Sequence, residues 1–387
     1  MYKDQMTPVE RAQAIAEGKD VDRMPIGIMF GAPAHSLLGW TVQQEWESGR
    51  SLAEVQKKVY QTLHTDGMGA GHGLHGLGLL YGAEADMPEH QPLSLISYPL
   101  DQVKNYPQLD PELADKDIRA QKCLECLEIL RDELGHEVGC AMSFAGAFTA
   151  ASGLVSPEKL LRSLIRDPES AHGLLRFANQ VLIRLAEPFL RAGFSVSLAD
   201  PMASGAILSP ARFREFVLPY NREFVDTCNK INPLGVSVHI CGNTTPLLED
   251  IVECGFNSFS IDNAVDLAVA KERIGDKIPL VGNVPPTDVM YMGTPEQVRQ
   301  SVRDCFAKAW DSPKGFTIST GCDCPYGTPM ENALAYIDEA KKCASMPYGH
   351  TCTFPYVFSI SLFYLIFFIR SKSCSRNSTH FLIWSEI

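Results

Sequence analysis

Eight short apolar runs, separated by longer amphipathic segments, constrain the fold of this chain more than any other feature. The runs span residues 24–30, 65–70, 137–144, 193–199, 234–240, 256–261, 278–284 and 315–320. Apolar strands that alternate with helices are typical of a parallel sheet covered by helices on both faces. Eight such units over about 340 residues predict a single-domain α/β fold, a (β/α)8 TIM barrel.

The segments between the runs carry helix start signals. Asp167-Pro168-Glu169 precedes a long amphipathic segment that reaches Arg191, and Ser209-Pro210 precedes another. Thr294-Pro295-Glu296-Gln297 and Thr328-Pro329-Met330-Glu331 both place Thr three residues before Gln or Glu. This spacing predicts a capping box, in which Thr and the later side chain each bind the other's backbone N–H.

The charge and cysteine content exclude several classes of protein. A net charge of -12 argues against nucleic acid or an anionic membrane surface as the main partner. The first 11 residues contain no apolar signal-peptide core, and 12 cysteines in a chain of 387 residues predict reduced thiols. These features predict a cytoplasmic protein.

The composition changes abruptly near the C-terminus. Residues 354–369 form an almost unbroken apolar and aromatic run of 16 residues, which is short for a transmembrane helix of about 20 residues. We therefore expect the barrel domain to occupy residues 1–346, and the hydrophobic tail, 347–387, to be an appended or non-native segment. A membrane anchor is the alternative for this tail.

The segment Val238-His239-Ile240-Cys241-Gly242 predicts a metal site. In a strand, residues i and i+2 point the same way, so His239 and Cys241 would face one spot. Cys322 follows the last apolar run and could supply a third ligand, and three His or Cys ligands with an open position are typical of catalytic zinc. Cys324 could replace Cys322, or it could complete a closed, structural four-ligand site.

In a barrel, the functional residues are expected at the C-terminal ends of the strands. By this criterion we expect Asp66, Asp200, Asp262 and Asn283 near the same mouth. The long segment after the second run contains His72 and His75, which could be alternative metal ligands but are more often solvated in such loops.

Several motifs resemble the uroporphyrinogen decarboxylase superfamily and, within it, the corrinoid-dependent methyltransferases of the methylcobamide:coenzyme M type. The similarity extends over about residues 8–345 and includes DRMPIG at 22–27, YGAEADMPE at 81–89, SLADPMAS at 197–204, FREFVLPY at 213–220, HICGNTTPLLEDI at 239–251, SIDNAVDL at 260–267, VGNVPP at 281–286 and TGCDCPYGTPMENA at 320–333. The His-x-Cys pair with its distant Gly-Cys is the most specific of these motifs.

This resemblance implies a TIM barrel in which His239, Cys241 and Cys322 hold Zn²⁺. It implies methyl transfer between a corrinoid, such as methylcobalamin on a partner protein, and a small zinc-activated substrate, most simply a thiol such as coenzyme M. Asp200, Asp262 and Asn283 would orient the ligands or hold the substrate, with loop capping as the alternative. Glu84 is a candidate for a displaceable fourth ligand.

Other functions remain open at this stage. A methyl-donor role, such as O-demethylation of a methoxyaromatic, is compatible with the same site. Uroporphyrinogen decarboxylation is disfavoured because the segment 28–35 after the first run contains no arginine to bind a polycarboxylate. A non-catalytic barrel with structural zinc is a further alternative.

Overall fold

The structure, a computed structural model, describes residues Tyr2–Ser345. The tail predicted for residues 347–387 lies outside the described residues. Within them the predicted single α/β barrel is confirmed as a seven-stranded sheet with helices around it. No helix in this part of the chain combines the length and apolarity that crossing a bilayer requires.

All seven strands of the main sheet are parallel and follow one another in chain order. They are β1 (Met68–Gly71), β4 (Cys140–Ala145), β5 (Ser195–Ala199), β6 (Val236–Ile240), β7 (Ser258–Ile261), β8 (Leu280–Val284) and β9 (Phe316–Thr320). A separate antiparallel pair, β2 (Ala85–Asp86) and β3 (Ser94–Leu95), lies in the loop after β1.

The first predicted strand, 24–30, is reduced to a single bridge between Ile26 and Ile318 of β9. Pro25 lacks a backbone N–H and Gly27 weakens a strand, which explains why pairing stops there. The segment still joins β9, because the Gly27 N–H donates to the Ile318 carbonyl at 2.9 Å. The Tyr336 hydroxyl also donates to the Gly27 carbonyl at 2.7 Å. This short seam lies between the two outermost strands, β1 and β9.

Fifteen α-helices surround the sheet within the described residues. They are α1 (Pro8–Ala16), α2 (Gly31–Ala34), α3 (Val42–Glu45), α4 (Gly49–Leu63), α5 (Gly76–Leu80), α6 (Ile118–Leu134), α7 (Ala147–Leu154), α8 (Pro157–Arg166), α9 (Pro168–Arg191), α10 (Pro210–Phe216), α11 (Leu218–Ile231), α12 (Leu248–Glu253), α13 (Leu267–Ile274), α14 (Pro295–Ala309) and α15 (Met330–Ala344).

The predicted helix starts are largely confirmed. Asp167 caps α9, Ser209 caps α10, and Thr294 with Gln297 forms a complete capping box on α14. The box predicted at Thr328 is wrong. Helix α15 starts later, and the Thr328 hydroxyl donates to the Pro325 carbonyl at 2.7 Å within the preceding turn.

The hydrophobic core lies between strands and helices, while the centre of the barrel is lined largely by small and polar residues. Ser143, Ser197, Ser237 and Ser258 face one another in register across four adjacent strands. TIM barrels usually fill this space with bulky branched side chains. Here a cavity of about 430 Å³ extends from the segment around Asp66 up to His239.

The N-terminal end of the barrel is closed by a network of buried ion pairs. Asp66 precedes β1, so it lies at this end, and its predicted place at the mouth is wrong. Its carboxylate binds both Arg11 and Arg23, and Arg23 also binds Asp4 with Nε 2.6 Å from Oδ1. Arg11 binds Asp22 at 2.8 Å. The network ties the N-terminal segment to the sheet.

Candidate metal centre

Two distant segments bring His239, Cys241 and Cys322 together at the C-terminal end of the barrel. His239 is the fourth residue of β6, Cys241 follows that strand, and Cys322 follows β9. The His239 Nε2 lies 3.2 Å from the Cys241 sulfur, which lies 3.6 Å from the Cys322 sulfur 81 residues away. All three side chains are partly buried, and their ligand atoms lie within 4.8 Å of one another.

This arrangement fits a tetrahedral zinc ion. Two thiolates at the usual Zn–S distance of about 2.3 Å lie roughly 3.8 Å apart in a tetrahedron, close to the 3.6 Å observed between Cys241 and Cys322. Both sulfurs and the imidazole are ligands that zinc accepts. Three protein ligands leave one tetrahedral position for another molecule.

The two thiols influence each other's ionisation. Their mutual hydrogen bond lowers the pKa of Cys322, and the neighbouring His239 imidazole favours the same thiolate. The same hydrogen bond, together with burial, raises the pKa of Cys241. The pair therefore loses its first proton readily and retains the second, which a divalent cation would displace.

Ser260 on the neighbouring strand orients the His239 ring. The His239 Nδ1 lies 3.1 Å from the Ser260 hydroxyl and 3.2 Å from its carbonyl, so Nδ1–H can donate to either. The Nε2 atom then has its lone pair directed towards the two sulfurs. A metal-binding histidine typically has its second nitrogen held in this way. Sequence reasoning missed Ser260, although its register opposite His239 follows from pairing β6 with β7.

Asp200 lies directly after β5, as predicted, and is fully buried. Its Oδ1 accepts hydrogen bonds from the Thr149 backbone and hydroxyl at 2.9 and 2.6 Å, whereas Oδ2 has no partner among the described residues. Burial raises the pKa of Asp200 to about 6, although the bonds from Thr149 oppose this shift. Its backbone N–H donates to the His239 carbonyl at 2.9 Å, so Asp200 braces the ligand-bearing strand.

Asp262 and Asn283 form one support for the loop after β7. The Asn283 amide donates to the Asp262 carbonyl at 3.1 Å and the Val265 carbonyl at 2.7 Å. The Asp262 carboxylate accepts from the Ala264 N–H at 2.8 Å and lies close enough to raise the pKa of Cys241. These contacts match the loop-capping alternative. Substrate or cofactor binding by these two residues stays a prediction.

The structure does not bring Glu84 or Cys324 into the metal-binding group. Glu84 is exposed near β2, where its N–H donates to the Ser97 hydroxyl at 2.9 Å. Cys324 is fully buried, and its N–H donates to the Met29 carbonyl at 2.9 Å. The geometry therefore favours Cys322 as the third ligand and gives no support to a four-ligand site that includes Cys324.

A family model described as uroporphyrinogen decarboxylase (URO-D) matches residues 7–343. The chain belongs to this family. The resemblance predicted from the motifs is therefore confirmed at the level of the family.

Curated relatives of this URO-D family chain cover most of its length. A methylated-thiol–coenzyme M methyltransferase of Methanosarcina mazei is 26% identical over 355 residues, with 87% of this chain and 90% of the relative covered. The methylcobamide:CoM methyltransferase MtaA of Methanosarcina barkeri is 26% identical, with 84% and 95% covered. A solved structure of a methyltransferase from Methanosarcina mazei superposes with a TM-score of 0.77 at 23% identity, covering 87% of this chain and 99% of that chain, and supports the fold.

A cluster of rings at the same end of the URO-D family barrel was not predicted. The His35 Nε2 and His90 Nδ1 lie 3.2 Å apart in nearly parallel rings, and Tyr326 stacks on both. Glu45 lies beside His35. Burial of its carboxyl group, together with the nearby charge of Asp323, raises the pKa of Glu45 to about 7. No sequence pattern links these loops, because their contact depends on the barrel closing.

His72 also differs from its prediction as a solvated loop residue. It is buried, and its Nε2 lies 2.8 Å from the Asp117 carboxylate. Asp117 caps α6, which is the signal that could have revealed a structural role for the pair.

Proposed function

We propose that the protein is a zinc-dependent methyltransferase that moves a methyl group between a corrinoid on a partner protein and a small thiol. The observation that carries this proposal is the convergence of His239, Cys241 and Cys322 at the barrel mouth. Relatives that cover most of this chain are named as coenzyme M methyltransferases, and one of the names includes methylcobamide. Coenzyme M is therefore the first thiol to test.

The three side chains would hold Zn²⁺, which, when bound, lowers the pKa of a substrate thiol while leaving it nucleophilic. Ser260 holds the His239 ring through Nδ1, which would leave Nε2 free to bind the cation. The Cys241 and Cys322 thiolates supply two negative charges, which balance the charge of the dication. The acceptor thiol would release its proton, and its sulfur would attack the methyl carbon of the corrinoid substrate: a carbon–sulfur bond would form, the carbon–cobalt bond would break and its electron pair would stay on cobalt.

The partner must bring its corrinoid to the mouth of the barrel. Large apolar side chains are exposed in the loops that follow the strands at this end, among them Met87 (54%), Ile96 (66%) and Met292 (64%). Exposed apolar side chains at this end would suit contact with a protein partner if they form one patch. They support a transient interface with a corrinoid-binding protein.

Uroporphyrinogen decarboxylation fits this chain less well. Asp323 accepts hydrogen bonds from the Gly31 and Ala32 N–H groups at 2.7 and 2.9 Å, so a carboxylate already occupies the segment after the seam. A polycarboxylate substrate would meet repulsion there instead of a counter-charge.

The proposal is tested by methyl transfer with the purified full-length protein loaded with zinc. We expect methylcobalamin to lose its methyl group to thiols in a panel that includes coenzyme M, and the metal content to be one zinc per chain. Methyl transfer from methoxyaromatics to Co(I), without transfer to any thiol, would reverse the proposed direction. A protein without zinc, or with decarboxylase activity alone, would refute the proposal. A cytoplasmic location stays a prediction.

A further inference from the structure

Arg119 is partly buried at the C-terminal end of the barrel and is held in one orientation. Its Nε donates to the carbonyl of His72, the residue that follows β1, at 3.2 Å. Its guanidinium carbon lies 3.6 Å from the centre of the Trp46 ring. These two contacts fix the plane and one edge of the guanidinium and leave the Nη edge for another group.

No carboxylate forms a direct ion pair with this charge in the part of the chain that the structure describes. Among residues Tyr2–Ser345, no Asp or Glu oxygen lies within 4.0 Å of the Arg119 nitrogens, and neither Nη atom has a hydrogen-bond partner. Asp117 is only two residues away, but its oxygens bind the Ala120 N–H and the His72 ring. Lys122, one turn along α6, donates to the Trp46 carbonyl at 2.8 Å and also has no carboxylate partner in this part of the chain.

The environment of Arg119 contrasts with that of Arg23. Burial alone would lower the pKa of Arg23, but its hydrogen bonds with Asp4 and Asp66 raise it. At Arg119, burial lowers the pKa, although electrostatic interactions with Cys123 and Asp117 oppose this shift. A guanidinium that loses water without gaining a directly paired anion is destabilised, and binding an oxyanion would reduce that penalty.

We propose that Arg119 is an anion-binding residue, which receives the carboxylate, sulfonate or phosphate group of a small molecule at the rim of the barrel. The fork of N–H donors on a guanidinium matches such oxyanions, and Trp46 holds the fork flat. Only the identity of the carrier rests on the proposed methyltransferase. The anion belongs either to the acidic end of the methyl acceptor or to the phosphate of the corrinoid.

The test measures anion binding by the full-length protein, with neither methyl transfer nor added metal. Acetate, ethanesulfonate and inorganic phosphate are titrated by calorimetry and thermal unfolding against chloride at equal ionic strength, and methylcobalamin is tested separately. We expect at least one probe to raise Tm by about 2 °C or more at saturation. The R119Q substitution should weaken its binding at least tenfold, and R119K, which keeps the charge but not the fork, should weaken it less.

Arg131 on the same helix is the matched control. It also donates to a carbonyl, that of Ala192 at 3.1 Å, and its guanidinium carbon lies 5.2 Å from the Phe194 ring centre. It has an acidic neighbour, Asp132, at 3.6 Å. R131Q should therefore leave anion binding unchanged.

If the small anions bind through Arg119, the anionic group belongs to the methyl acceptor. If only methylcobalamin binds through Arg119, the group is the phosphate of the corrinoid. If no probe binds, or if R119Q or R119K binds as tightly as the unchanged protein, the proposal is wrong. Because this assay does not depend on zinc or turnover, its result is independent of whether methyl transfer is found.

Discussion

At the N-terminal end of the barrel, Arg11 and Arg23 are buried and each pairs with aspartates, whereas at the C-terminal end Arg119 has no carboxylate partner among residues Tyr2–Ser345. The same end holds two thiols 3.6 Å apart and an Asp200 oxygen without a partner in the described chain. One end thus pairs its charges within the protein, and the other has polar groups without a direct partner among the described residues. We therefore expect the N-terminal network to serve stability and the C-terminal groups to serve the binding proposed above.

The largest effect is expected on substitution of the candidate zinc ligands Cys241 and Cys322, and it should distinguish them from the nearby Cys324. Cys241→Ser or Cys322→Ser should abolish stoichiometric zinc binding and reduce methyl transfer at least about 100-fold, because a three-ligand site loses a thiolate. Metal analysis and a transfer assay measure both. Cys324→Ala is the control and should retain zinc. Loss of zinc in Cys324→Ala, with retention in Cys322→Ser, would reverse the ligand assignment.

The second prediction concerns the other end of the barrel. Asp66→Asn leaves the buried Arg23 and Arg11 incompletely paired, so the free energy of unfolding should fall by about 3–5 kcal/mol. Urea denaturation measures this change. Zinc affinity and methyl transfer of the folded variant should stay within about twofold. A variant of normal stability that has lost activity would contradict the division between the two ends.

The third prediction uses Glu45, whose pKa burial raises to about 7. Because the folded state keeps this proton to a higher pH than the unfolded state does, Glu45 lowers stability as the pH rises from about 4.5 to 7. Glu45→Gln removes this titration. Between pH 5 and 8, the unchanged protein should lose about 2 kcal/mol relative to the variant, measured by urea unfolding at each pH. Parallel pH profiles would show that Glu45 is ionised like an exposed carboxylate.

The smallest effect is expected at Ser260. Ser260→Ala removes the hydroxyl that holds His239 Nδ1, but the Ser260 carbonyl remains at 3.2 Å and can accept the same proton. Zinc affinity should therefore fall by at most about tenfold, or about 1.4 kcal/mol, in a competitive chelator titration. Ser258→Ala, which changes the same strand further from the ring, should have no effect. Equal losses in both variants would indicate a general disturbance of β7.

Local patterns in the sequence predicted the barrel and the convergence of the three candidate metal ligands because both depend on spacing along the chain. His239 and Cys241 face the same spot through strand geometry, and Cys322 joins them because parallel strands end at one side of the sheet. The seam near Ile26 was overestimated as a full strand, since the apolar run masked the effects of Pro25 and Gly27.

What the sequence did not predict depends on contacts between loops. Asp66 was assigned to the wrong end because the apolar run near it begins earlier than β1 does. The His35–His90 pair and the stacking of Arg119 on Trp46 each form between segments that are distant in the chain. Spacing within one segment therefore cannot predict these contacts. Asn283 was recognised as important, but its amide is occupied by the carbonyls of the loop after β7.

The short seam at Ile26 has a consequence for the tendency of the protein to aggregate. With only one bridged residue between them, β1 and β9 depend on the N-terminal segment to cover their open backbone edges. Losing that segment, by proteolysis or by initiation at an internal codon, would expose two strand edges able to pair with other copies. Shortened chains should therefore accumulate as edge-to-edge aggregates.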